Sequence, residues 1–164
     1  RSGPAPGRLY LDSTGSLPTV SARGVDALLI LTESATGYIH LEPLMGKKAG
    51  SLTKAFKAGV TWFRDKGIAL DQLRIDNELS QEMRQSAKGQ QLEVEMCPPG
   101  NHRANAAERH IRPSKDHLIS VLATTDVSFP PDAWDLLPPQ LELTLNILRP
   151  CRPDPSLSLR KSPA

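Results

Sequence analysis

Ala27-Leu28-Leu29-Ile30-Leu31 is a run of five apolar residues with no polar interruption. A run this short suits a strand, and its lack of alternation means that both faces are buried. A strand of that kind belongs inside a sheet covered on two sides. The stretches around it alternate instead. In Arg8 to Thr14, Leu9 and Leu11 alternate with Arg8, Tyr10 and Asp12, and Tyr38-Ile39-His40-Leu41-Glu42-Pro43-Leu44 also reads with a period of two. Pro43 marks the end of that third run, or an edge position. Thr14-Gly15-Ser16-Leu17-Pro18 and Ser34-Ala35-Thr36-Gly37 are turn signals between the runs. Together the three read as an antiparallel meander.

Downstream the period changes. Leu52, Phe56, Val60 and Phe63 fall at steps of four, four and three, so residues 51–66 are expected as an amphipathic helix ending at Gly67. Asp71 to Asp76 reads as a fourth strand, residues 79–88 as a short polar helix stopped by Gly89, and Gln91 to Met96 as a fifth strand. Residues 105–123 are expected to be helical, with Asn105 as a candidate N-cap. Pro113 falls inside that helix, which predicts a kink or an early end near Ile111. Asp132 to Leu148 reads as a last helix, with Pro138-Pro139 placed to split it. The order is that of an α/β domain with a central mixed sheet flanked by helices.

The chain has 164 residues and is 38% hydrophobic, enough for one domain with one core. The formal net charge of +2 does not by itself predict a nucleic-acid partner. No apolar run is long enough to span a membrane. Cys97 and Cys151 lack metal-site spacing and do not make a disulfide framework, which points to a reducing compartment. Eleven of the fifteen prolines follow residue 97, so the second half is the interrupted one. We expect residues 1–7 to be a linker, 8–149 the folded domain, and 150–164 a loosely packed or disordered tail.

Three acids stand out. Asp12 and Asp76 each close an apolar run, and Glu108 opens a helix beside His102, Arg103, Arg109, His110, Arg112 and Lys115. Each has a structural reading: Asp12 as a cap for Ser13-Thr14, Asp76-Asn77 as a cap for the next helix, Glu108 as a complement to the helix dipole, and the basic cluster as a solvated surface. Glu78 reads as a first-turn helix acid and is a rival ligand. Trp62 and Trp134 read as core residues. Lys47 and Lys48 are either a loop feature or a phosphate contact.

Five pieces in order change this balance. They are Asp12-Ser13-Thr14-Gly15, Arg74-Ile75-Asp76-Asn77-Glu78, Pro98-Pro99-Gly100-Asn101-His102-Arg103, Asn105-Ala106-Ala107-Glu108-Arg109, and Trp134-Asp135 followed by Leu143-Thr144-Leu145-Asn146. In combination they resemble the catalytic cores of retroviral-type integrases, most of all those of copia-type long-terminal-repeat retrotransposons. The resemblance covers residues 9 to 150. It implies a ribonuclease H-like fold, with three antiparallel strands and two further strands in one mixed five-stranded sheet. It implies that Asp12, Asp76 and Glu108 are catalytic and bind two Mg2+ or Mn2+ ions. Such a pair of ions, about 4 Å apart, activates a nucleophile and neutralises the leaving oxygen in phosphodiester transfer.

The implied reactions are 3′-end processing and strand transfer of retrotransposon DNA. Asn101, His102, Arg103, Asn105, Arg109, Arg112 and Lys115 would contact DNA, chiefly through phosphates. Element ends and target DNA are the implied partners, with self-association into a homo-oligomer. The implied setting is the nucleus after a cytoplasmic particle stage, and the chain would derive from a Gag-Pol polyprotein. Three alternatives stand beside this reading. One is a decayed integrase relic that only binds DNA or protein, for which Pro113-Ser114 argues. Another is a ribonuclease H-like nuclease acting on RNA in hybrids. The third is a plain binding module, supported by the basic cluster alone.

Overall fold

A computed structural model describes residues 7–46, 49–75, 80–96 and 108–148, with Ala49 and residues 108–111 described by backbone alone. The first three strands are β1 (Arg8–Ser13), β2 (Ala27–Glu33) and β3 (Ile39–Leu44). They form the expected antiparallel meander, with Asp12 paired to Ile30 and His40 to Leu31. Helix α1 (Ala49–Asp65) then crosses the sheet, and β4 (Gln72–Ile75) returns on the other side of β1. Helix α2 (Gln81–Gly89) leads to β5 (Glu93–Met96). β4 is parallel to β1 and β5 is parallel to β4, giving one mixed sheet of order β3-β2-β1-β4-β5. Helix α3 (Glu108–Thr124), a short 3-10 helix (Pro131–Leu136) and α4 (Pro138–Leu148) complete the described chain. No helix among the described residues is long and apolar enough to cross a membrane.

The apolar run does what its lack of alternation requires. Ala27, Leu29 and Leu31 enter the cluster beneath α1 and α2, with Phe56, Val60, Phe63 and Met83. Leu28 and Ile30 enter the opposite cluster, with Leu118, Trp134, Leu141 and Leu145. Every residue of β2 is buried. Gly59 lets α1 lie close to the sheet, because a Cβ there would stand 2.5 Å from Leu31 Cδ2.

Two local expectations are corrected. α3 does not end near Ile111 but continues through Pro113 to Thr124. Packing outweighs the local rule here: Ser114 and Leu118, on the turns after the proline, are buried beneath the sheet-facing side of the helix. α2 ends at Gly89 as expected, with Gln90 as its cap and a positive φ of 59° on Gln91. The fourth and fifth strands begin at Gln72 and Glu93, later than the alternation predicts. By contrast Gly67 ends α1 with a φ of 76°. Pro138 does split the last helix: it opens α4 at a position where no amide donor is needed. Residues 1–6 of the expected linker (1–7), the expected tail (150–164), Lys47, Lys48 and the candidate cap Asn105 lie outside the described residues.

Candidate active site at the carboxyl ends of two parallel strands

β1 is the strand at which the sheet changes direction. β2 and β3 extend from one side of it, and β4 and β5 from the other. In open α/β sheets, such a switch point leaves a crevice at the carboxyl ends of the strands, and ligands bind there. Asp12 is the penultimate residue of β1. Its side chain is half-buried, and its Oδ1 accepts a hydrogen bond from the Ser13 amide at 2.8 Å. The local capping role read from the sequence is therefore present.

The residues after Asp12 fasten the strand end. Thr14 is buried, and its amide donates to Leu28 O at 2.9 Å while its Oγ1 accepts from the Leu28 amide at 3.0 Å. Gly15 then turns the chain with a φ of 68°. The loop beyond is held by the second half of the chain. Trp134 Nε1 donates to Thr19 O at 2.8 Å, and Arg23 Nε donates to Asp135 Oδ2 at 2.6 Å. Trp134-Asp135 thus anchors the β1–β2 loop, and Trp134 is a core residue as expected. Trp62 is half-buried and packs at the margin of the other cluster.

The pairing of β1 with β4 keeps a constant offset of 64 residues: Arg8 with Gln72, Leu9 with Leu73, Tyr10 with Arg74. Asp12 and Asp76 are separated by the same 64 positions. Asp76 and Glu78 lie outside the described residues. Glu108 is the first described residue of α3, a helix that packs against β1, and its side chain is not among those described. Of the three expected acids, only the Asp12 side chain is therefore located. Among the described residues, no group of three His, Cys, Asp or Glu side chains converges in a metal-binding arrangement.

The basic cluster is only partly visible. Asn101, His102, Arg103 and Asn105 lie outside the described residues, and Arg109 and His110 are described by backbone alone. Arg112 is exposed and lies 3.9 Å from Asp116. Lys115 is half-buried beside a groove of about 720 Å³, lined by Leu17, Pro18, Leu118, Ile119 and Trp134. Sequence reasoning did not foresee this groove. Its walls come from the β1–β2 loop and α3, about a hundred residues apart.

No protein-family profile and no curated protein matches this chain by sequence. Solved structures do match by shape. The catalytic core domain of BIV integrase is similar over 88% of this chain and 86% of its own, with a TM-score of 0.62 and 13% identity. A chain of the simian T-cell lymphotropic virus intasome, solved in complex with PP2A regulatory subunit B56 gamma, is similar over 93% of this chain. There the TM-score is 0.68 and the identity 12%, and the match spans 52% of that longer chain. The five-stranded sheet and its helices therefore form the ribonuclease H-like fold of integrase catalytic cores.

Proposed function

We propose that the protein is an integrase catalytic core that joins DNA by metal-dependent phosphoryl transfer. The observation that carries this reading is the position of Asp12, at the carboxyl end of β1 and beside the parallel strand β4, in an integrase-core fold. The equal 64-residue separation of Asp12 and Asp76 is what two acids on adjacent parallel strands in this register require. Glu108 lies on a helix that packs on β1, which supports its inclusion as the third acid.

Hard divalent cations take oxygen ligands, and a carboxylate at an open strand end is a donor of that type. Asp12, Asp76 and Glu108 would hold Mg2+ or Mn2+, two ions in this reading. When bound, the metal activates water or a 3′-hydroxyl and neutralises the leaving oxygen. The chain's own contribution is positional. Thr14 and Gly15 hold the end of β1, and Trp134 and Asp135 hold the loop beyond it. Arg112 and Lys115, on one flank of α3, would neutralise DNA phosphates, joined in this reading by Asn101, His102, Arg103, Asn105 and Arg109.

Element ends and target DNA are the proposed partners, and the intasome neighbour supports assembly as a multimer. The five ordered motifs favour a copia-type retrotransposon origin within a Gag-Pol polyprotein, acting in the nucleus after a cytoplasmic particle stage. The second reading is a relic that binds without chemistry, for which Pro113 inside α3 argues.

The test is Mg2+- or Mn2+-dependent cutting and joining on a labelled branched DNA substrate, with Asp76→Asn as control. Metal-dependent activity abolished in the control establishes the site. DNA binding by the folded chain, with no cleavage under either metal, selects the relic.

A further inference from the structure

β3 is an edge strand, and an open edge offers unpaired backbone groups to other chains. Here α4 seals it. Asn146 Oδ1 accepts from the Ile39 amide at 2.8 Å, and Asn146 Nδ2 donates to Ile39 O at 2.7 Å. One turn earlier, Glu142 Oε2 accepts from the Leu41 amide at 3.2 Å. The same oxygen lies 2.8 Å from His40 Nδ1, and His40 Nε2 lies 2.7 Å from Glu42 Oε1.

His40 belongs to the α1 side of the sheet. Its ring stacks on Trp62 at 4.2 Å with planes 14° apart, and meets Phe63 edge-on at 6.0 Å. α4 belongs to the other side, where Leu141 and Leu145 pack with Ile39 and Leu41. Glu142 therefore reaches around the edge, and His40 joins the two helical layers.

The donor count makes this join depend on a proton. Ionised carboxylates only accept, and a neutral imidazole carries one N–H. Both short contacts are hydrogen bonds at the same time only when the ring carries two protons. We propose that His40 is a proton-dependent latch that fastens α4 to the open edge of the sheet. Without the extra proton, a ring lone pair faces a carboxylate, and the tie across the edge loosens.

The charged surroundings agree. Glu42 on β3 and Glu142 on α4 face the ring directly. From α1 the neighbouring charge is Lys66, whose Nζ lies 5.5 Å from the Trp62 ring centroid. From β2 the residue paired with His40 is neutral Leu31, and the Glu33 carboxylate is occupied by the Ala35 and Thr36 amides. Burial alone disfavours the charged ring, but the hydrogen bonds and charges of Glu142 and Glu42 outweigh it and raise the His40 pKa above 6.5. A folded-state pKa raised in this way stabilises fully below the unfolded value and is lost as pH rises through the folded one.

The test is NMR on the full chain from about pH 5 to pH 9. It follows the His40 ring nitrogens together with hydrogen exchange at the Ile39 and Leu41 amides. In the wild type, protection at both amides should fall roughly tenfold across the His40 titration, after correction for intrinsic exchange. Glu42→Gln should abolish that fall, because a carboxamide donates to the unprotonated Nε2 while Nδ1–H keeps Glu142. The latch is refuted if edge protection stays level while His40 titrates, since Glu42 alone then swings away. It is equally refuted if His40 does not titrate in this range, or if Glu42→Gln loses protection as the wild type does.

Discussion

The side-chain amide of Asn146 satisfies both outward backbone groups of Ile39, accepting at 2.8 Å and donating at 2.7 Å. A helix side chain thus occupies the place of a sixth strand. Its Nδ2 also donates to Glu142 O at 2.9 Å, which fixes the rotamer. Asn146→Ala should leave the Ile39 amide and carbonyl without partners, at about 2 kcal/mol in stability. Asn146→Asp should be worse, because the carboxylate offers no donor to Ile39 O. Urea unfolding gives the first effect. The second consequence, pairing through the exposed edge, should appear as concentration-dependent light scattering in both variants and not in the wild type.

The Arg23–Asp135 pair makes a prediction of opposite pH sign to that of His40. The hydrogen bond from Arg23 is the main cause that holds the Asp135 carboxyl below 3.8, with a further bond from Ser21. A depressed folded-state pKa contributes stability above the unfolded value, and that stability is lost as pH falls through the folded one. Unfolding midpoints followed from pH 6 down to about pH 3 should therefore drop less steeply in Asp135→Asn than in the wild type. Equal slopes would mean that this pair does not couple folding to acid.

Asp12→Asn should leave the fold intact, because an amide oxygen still accepts from the Ser13 amide. In an assay of metal-dependent DNA cutting and joining, the same change should remove activity by a factor of roughly 100 or more, the loss of a charged metal ligand. Circular dichroism equal to the wild type, with activity unchanged, would remove Asp12 from the site.

Much of the architecture was legible because burial writes itself into spacing. The unbroken run from Ala27 to Leu31 announces a strand with two covered faces, and Phe56, Val60 and Phe63 announce the helix that covers one of them. Asp12 was legible as an acid near a strand end, and β1 pairs with β4 in a register matching the separation of Asp12 and Asp76, the latter outside the described residues. What was illegible is polar and long-range. His40 and Glu142 are about a hundred residues apart, and hydrogen-bond partners leave no period in a sequence. Asn146 was singled out by motif, yet nothing local says that it faces Ile39. Nor does any local signal say that Gln91, two residues beyond α2, takes a positive φ of 59°.

Gly59 sets two effects against each other. Alanine is the better helix former by about 1 kcal/mol in a helix interior. A methyl group there would meet Leu31 Cδ2 at 2.5 Å and Cδ1 at 3.0 Å, and Leu31 is fully buried between α1 and the sheet. Overpacking of that kind costs about 1–3 kcal/mol. Gly59→Ala should therefore destabilise by roughly 1 kcal/mol, and Gly59→Ala with Leu31→Val should recover part of the loss by making room. Urea unfolding of the two variants decides it, and a stabilised Gly59→Ala would show that Leu31 moves freely.

Pro113 and Ser114 reverse the usual direction of a mutation. α3 continues through Pro113, so its missing amide and its ring stand inside a helix, a strain of about 3 kcal/mol. Replacing a proline also frees the unfolded chain, which offsets roughly 1 kcal/mol of any gain. Pro113→Ala should then raise stability by about 2 kcal/mol. Ser114 is 3% exposed and its Oγ has no partner among the described residues, so Ser114→Ala should add about 1 kcal/mol by removing a desolvated hydroxyl. The two sites adjoin, and their effects need not add. If DNA cutting and joining also rises in the Pro113→Ala variant, the proline limits the chemistry by straining the helix that carries Glu108. If stability rises and activity stays absent, the loss lies elsewhere and the relic reading gains.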